Sequence, residues 1–422
     1  MRRRLLTLVG LAFVLGIAVA AAGCGGGGDS GGDEAAATEP ADTAAPADTG
    51  AAAGGGEEAN GEPLTLRIGF SAALSGPYAA YDVPLLNGME FAAEEINASG
   101  GNVTVEIVSK DNKGDQTQTL TTAQELLDEG VLVQILTTAE PSVAVGQLVS
   151  AAGGITTVGG NTAPSIPRDI GERSVSFVFG DNQQASADAQ YACDQGYTTA
   201  YMLGSPEIPY TKDIPTFFAD AFAQICGGEI VGEDTFKIGQ TEFGAQVTKI
   251  QNADPAPDVI FTPMFVPDSG AFLKQLRSAG VETPFLSTDG NDTTLFVDSG
   301  GSAVDGSVYS THGFNSPGSE IEAFVQAYTE WKGSPPESNT FEAIGRDNVY
   351  ALVEAAQNAG STEPDALLEA ILQLKDVPLL TGLTTMDPET RFPTKEITLV
   401  QMQGTEFTEL EKLIPSYIAP AQ

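Results

Sequence analysis

From Leu64 onward the sequence alternates β-like runs with helix-like runs, and that alternation restricts the fold more than any other feature of the chain. "LTLRIGF" (64–70) is β-like, and "PLLNGMEFAAEEINAS" (84–99) then spaces Leu85, Met89, Ala92, Ala93 and Ile96 along one helical face. "VTVEIVS" follows as a second strand, "DQTQTLTTAQELLDEG" as a second helix closed by Gly130, and "VLVQIL" as a third strand. Strands joined through helices form a parallel sheet with helices on both faces, because each connection has to cross back over the sheet.

A second series runs from "TTAYMLG" (198–204) through helices around 217–225, 246–251 and 272–279 to "TPFLSTDG", with "GEIVGE" and "PDVIFTPMF" as intervening strands. Two α/β series in one chain imply two lobes. Three helical segments follow, "SEIEAFVQAYTEWKG", "NTFEAIGRDNVYALVEAAQNAG" and "EPDALLEAILQL", and then a β-rich tail from Leu379. Helices placed after the second series imply that the chain crosses back to the first lobe. Trp331 falls on an apolar helical face with Phe324 and Tyr328, which favours core packing.

The residues before Leu64 have a different character. Three arginines, an apolar stretch from Leu5 and then Ala21-Ala22-Gly23 before Cys24 have the layout of an export signal, with an uncleaved membrane anchor as the alternative. "AAGC" resembles the lipobox of bacterial lipoproteins, in which the cysteine is acylated after cleavage; residues 1–24 are therefore expected to be a lipoprotein signal ending in a lipidated Cys24. Residues 25–62 contain no Lys, Arg or aromatic residue and read as a disordered acidic tether, with a root-mean-square reach of roughly 30 to 35 Å. The expected location is the outer face of the bacterial cell membrane.

Composition excludes some partners. Lys and Arg total 19 against 57 Asp and Glu, a net charge of -38, which argues against nucleic acid, whose binding depends on cations. There is one histidine, His312, and no HExxH, CxxC, P-loop or GxSxG, so no enzymatic activity, metal or cofactor is expected. His312 itself, at the end of a strand, reads as structural or solvent-facing. Cys193 and Cys226 are the other cysteines, and in an exported protein a disulfide is the natural reading, with two buried thiols as the alternative.

"LRIGFSAALSGPYAAYDVPLLNGMEFAAEEINASGG" resembles the opening of the leucine/isoleucine/valine-binding family of solute-binding proteins of ABC importers. The resemblance continues through "KDNKGDQTQTLTTAQELLDEGV", "TEFGAQVTKIQNADPAPDVIF", "FLKQLRSAGVETPFLSTDG" and "FVQAYTEWKGSPPESNTFEAIGRDNVYALVEA". It implies a two-lobe type I periplasmic-binding fold, each lobe a parallel sheet flanked by helices, with three crossover strands and a small-molecule ligand in the cleft. The expected lobes are 63–181 with 315–377, and 182–314 with 378–422. The implied partners are an amino acid or related ligand and the transmembrane subunits of an ABC permease, served by a monomer.

Family positions carry over to named residues. In "LSGPYAAYD" the aromatic over the ligand side chain falls on Tyr81, with Tyr78 as the weaker candidate and packing as the alternative role. Thr138, with Thr137 beside it, matches the hydroxyl that binds the ligand's α-carboxylate. Thr162 matches a second hydroxyl donor, and the Gly160 carbonyl an acceptor for the ammonium. Asp289 stands where many relatives carry a Glu that binds the ammonium. Asp181, Tyr210 and Phe265 match further cleft positions, and Asp181 also reads as a helix N-cap.

Overall fold

The computed structural model describes residues 63–76, 78–136, 142–338 and 340–421; Cys24, the tether, Thr137 and Thr138 lie outside the described residues. The first series forms β1 (Leu64–Ala72), α1 (Ala79–Ser99), β2 (Val103–Asp111), α2 (Gln116–Asp128), β3 (Val133–Leu136), α3 (Ser142–Ala151), β4 (Ile155–Val158), α4 (Ser165–Ile170) and β5 (Ser174–Ser176). Its strands make a parallel sheet in the order β2-β1-β3-β4-β5. The interior strand β1 explains its own sequence: Ile68 to Ala72 are buried on alternating faces, as a strand covered on both sides requires.

The second series forms α5 (Asp181–Asp194), β6 (Thr199–Gly204), α6 (Pro209–Cys226), β7 (Glu229–Thr235), α7 (Gly244–Gln251), β8 (Val259–Phe261), α8 (Asp268–Ser278), β9 (Phe285–Ser287), α9 (Leu295–Gly300) and β10 (Val308–Thr311). The last part forms α10 (Glu320–Lys332), α11 (Phe341–Ala359), α12 (Pro364–Ile371), β11 (Val377–Leu379), β12 (Gly382–Thr384), β13 (Ile397–Gln403) and β14 (Glu406–Leu413). The second sheet has the order β14-β13-β10-β9-β8-β6-β7, parallel except for the edge pair β13 and β14. The chain thus crosses between the sheets after β5, after β10 and before β13.

α11 returns to the first half and packs along α1. Two glycines permit the approach: a Cβ on Gly88 would stand 1.9 Å from the Glu342 carbonyl oxygen, and one on Gly345 2.0 Å from that of Leu85. The consequence reaches the cleft, because α1 carries Tyr81 and α11 opens at Phe341.

Some expectations are corrected. α1 starts at Ala79 rather than at Pro84, so Tyr81 lies in its first turn and not in a loop. The Tyr78 carbonyl accepts the N–H groups of Tyr81 and Asp82, and the buried Asp82 carboxylate accepts the Ala73 N–H at 2.7 Å, which starts the helix early. Pro84 then costs one backbone bond inside it. The β11–β12 hairpin lies beside α11, with the Leu380 and Thr381 N–H groups donating to Asp347. Trp331 packs 5.4 Å from the Phe91 ring but remains 37% exposed, a rim over buried Phe324 and Tyr328 rather than core.

Two further ties brace the second half and the crossings. Cys193 and Cys226 form a disulfide with Cα atoms 5.8 Å apart, linking the ends of α5 and α6. Lys395, buried before β13, donates Nζ to the Phe177 carbonyl at 2.9 Å and to Thr381 Oγ1 at 2.7 Å, which joins the first crossing to the third. Burial depresses its amine to about 8, while the nearby Asp347 charge works the other way.

Candidate functional site

The carboxyl ends of β1, β4, β6, β8 and β9 face one cavity, the position at which open parallel sheets present loops and helix starts to a ligand. The first half contributes Tyr78 and Tyr81 from the start of α1, Gly160, Asn161 and Thr162 from the loop after β4, and Phe341 from α11. The second contributes Ile208 and Tyr210 from the start of α6, Phe265 after β8, and Asp289 and Gly290 after β9. The space is small, about 70 Å³ measured at the centres of water-sized molecules, which suits a small ligand and not a peptide. Of the residues expected from the sequence, Tyr81, Gly160, Thr162, Tyr210, Phe265 and Asp289 are brought together here.

Three rings form the apolar wall. Tyr81 meets Phe341 edge-on at 5.2 Å between centroids and Phe265 at 6.3 Å. Its hydroxyl donates to the Gly290 carbonyl at 3.1 Å, a bond from one half to the other. Burial, reinforced by the Asp289 charge, holds the Tyr81 phenol far above the usual tyrosine range, so it remains a donor.

The polar wall is built on Asp289, which is 3% exposed. Tyr210 Oη donates to Asp289 Oδ1 at 2.8 Å and accepts from Thr288 Oγ1 at 2.6 Å and from the Gly290 N–H at 3.1 Å. That count uses every hydrogen-bonding site of the phenol, so Tyr210 is held in one orientation. Burial and then the Asp289 charge raise it well above the usual tyrosine range as well. The other oxygen, Oδ2, lies 3.2 Å from His312 Nε2. His312 is 3% exposed and stacks on Phe179 at 3.8 Å, which corrects the solvent-facing alternative.

Asp181 does not line the cavity. It is the first residue of α5, with Gly180 as the N-cap, and sits fully buried behind Thr162. The Thr162 hydroxyl and the Gln184 amide both donate to its Oδ1, and its own N–H donates to the Thr162 carbonyl at 2.8 Å. Burial pushes the carboxyl well above the usual carboxylate range, against those hydrogen bonds and together with the Asp289 charge. The Thr162 hydroxyl is therefore spent on Asp181, and Asp289 is the acid that the lining presents.

Ile208, Asn161 and Phe341 were not anticipated. Ile208 had a usable signal, since it lies two residues before Tyr210 in the loop after β6. Among the described residues no group of three or more His, Cys, Asp or Glu is placed to hold a metal ion, and no helix is long and apolar enough to cross a membrane.

Comparisons with known proteins agree with this architecture. The sequence profile described as periplasmic binding protein matches residues 65–406. Leu/Ile/Val-binding protein BraC3 of Rhizobium johnstonii is 26% identical over 335 residues, 76% of this chain and 87% of that protein. The crystal structure of the leucine binding protein LivK of Thermotoga maritima superposes with a TM-score of 0.75 at 24% identity, over 83% of this chain and 99% of that one. That of the branched-chain amino acid transporter substrate binding protein LivJ of Streptococcus pneumoniae, in complex with isoleucine, gives 0.73 at 24% identity, over 83% and 100%. The last two show the shared fold.

Proposed function

The chain belongs to the periplasmic binding protein family, and on that premise we propose that it is the extracytoplasmic receptor of an ABC importer, closing two lobes around one small zwitterionic ligand, an amino acid of branched-chain type. The observation that carries this reading is the Asp289 carboxylate, held by Tyr210 at one end of a small cavity whose other walls are the rings of Tyr81, Phe265 and Phe341. An acid among apolar walls selects a ligand with one cationic group and an apolar side chain, since a buried unpaired carboxylate is costly. Donors for the ligand's α-carboxylate are assigned to Thr137 and Thr138, because the Thr162 hydroxyl is already engaged.

The protein acts as a monomer anchored through lipidated Cys24, and it passes the ligand to the permease without making or breaking a bond. Closure is a population shift in which contacts from both halves favour the shut state. The ring cluster also fits an aromatic acid, a second reading that would leave Asp289 without a cationic partner. A thermal-shift screen of amino acids, their deaminated acids and benzoates separates the two. Stabilisation by leucine, isoleucine or valine and not by 4-methylpentanoate supports the amino-acid reading; stabilisation by benzoates alone replaces it with the second. Conversion of the bound compound to a product would remove the binding-only role.

A further inference from the structure

The single histidine of the chain is not part of the cavity lining, yet it touches the acid that is. Its ring is clamped flat against Phe179, 9° from parallel, on the segment that crosses from β5 to α5. His312 follows β10 at the second crossing, so the Phe179 stack joins two crossings beside the site.

Hydrogen-bond accounting decides how this ring is used. Nε2 faces Asp289 Oδ2 at 3.2 Å, while Nδ1 is buried and has no partner among the described residues. A ring protonated on both nitrogens would bury an unsatisfied N–H of a charged group, whereas a ring protonated on Nε2 alone leaves a neutral acceptor unpaired. The other titratable groups that interact with Asp289 are Tyr81 from α1, Tyr210 from α6 and Asp181 and Asp188 from α5, and burial disfavours the charged form of each. None of them supplies a cation.

We infer that His312 is a positioning residue that donates Nε2–H to Asp289 Oδ2 as a neutral imidazole, aiming the carboxylate into the cleft without cancelling its charge and so reserving the site for ligands that bring a cation. Tyr210 holds one oxygen and His312 the other, and a carboxylate so tethered keeps lone pairs for a ligand ammonium. This rests on the amino-acid reading above for the identity of the cation, but not for the state of the ring.

Two measurements test it. Nitrogen-15 NMR of the full-length protein, labelled at histidine, reads this one residue: a neutral ring protonated at Nε2 at pH 7 is the expected result, and an imidazolium or an Nδ1–H ring at pH 7 overturns the inference. Calorimetry then compares L-leucine with 4-methylpentanoate for His312→Leu and His312→Gln. The Leu variant should lose about tenfold in affinity for leucine and less than about twofold for the acid, and the Gln variant, which keeps an N–H donor, should recover most of the loss. Equal losses for both ligands, or none, contradict it. If the native protein takes up neither compound, the amino-acid reading fails, while the NMR result still decides the pairing.

Discussion

The Tyr81 hydroxyl of α1 donates to the Gly290 carbonyl, 3.1 Å away across the cleft, so the residue that forms the aromatic wall also bonds the two halves together. Thr340, before α11, makes a similar bond to Asp292 after β9, and Thr162 makes one to Asp181. A bond that spans the cleft favours the shut state over one in which the halves part, so the Tyr81 hydroxyl bears on closure as well as on the shape of the site.

Tyr81→Phe keeps the ring and removes the bond. Ligand affinity should fall by about three- to tenfold, roughly 1 kcal/mol, with melting of the ligand-free protein nearly unchanged. Calorimetry with a matched melting curve checks this, and a large drop in ligand-free melting would mean that the hydroxyl serves the fold and not closure.

Gly345→Ala forces a methyl against the Leu85 carbonyl, where backbone and not a flexible side chain lies in the way. A loss of about 1 to 3 kcal/mol is expected in urea unfolding, together with weaker ligand binding as Phe341 moves away from Tyr81. A variant as stable as the native protein would show that α1 and α11 do not need this close approach.

Lys395 predicts a pH dependence. Its amine is depressed to about 8 in the folded protein, against roughly 10.5 when unfolded, so between those values the unfolded chain binds more protons and stability rises with pH. The contribution is present above the unfolded value and is lost as pH falls through about 8. Relative to Lys395→Met, the native protein should gain about 2 kcal/mol in urea unfolding between pH 8 and 10. Parallel curves for the two proteins would place the lysine in a wetter environment than its bonds to Phe177 and Thr381 describe.

For the anchor, Cys24→Ser should move the protein from the membrane fraction to the soluble extracytoplasmic fraction, because several acyl chains at about 0.8 kcal/mol per buried CH₂ would be absent. Continued sedimentation with membranes would favour an uncleaved N-terminal segment.

The alternation of strands and helices was legible because the strands are short β-like runs whose apolar residues are buried, as Leu66, Ile68 and Phe70 of β1 are, and because the helices between them keep a regular apolar face. Tyr81 and Asp289 were legible because each closely follows a strand end inside a segment that resembles the family, and Tyr210 and Phe265 because the family's cleft positions follow the strands that precede them. Phe341 was not: it opens a helix far along the chain and reaches the cleft only after the second crossing and the glycine contact with α1. Pro84 hid the true start of α1, since a proline inside a helix reads as its beginning. Asp181 was matched by position, yet burial behind Thr162 is a property of packing that spacing does not carry. A lone histidine has no spacing to interpret, and its contact with Asp289 emerges only when β10 is laid beside β9.

The central claim is that Asp289 selects a ligand by its cationic group, and the most direct test is calorimetric titration of the native protein and Asp289→Asn with L-leucine, L-isoleucine and L-valine. The account predicts one-to-one binding by the native protein and a loss of at least about tenfold, roughly 1.4 kcal/mol, in the variant, with ligand-free melting little changed. Equal affinity in the two proteins would contradict it.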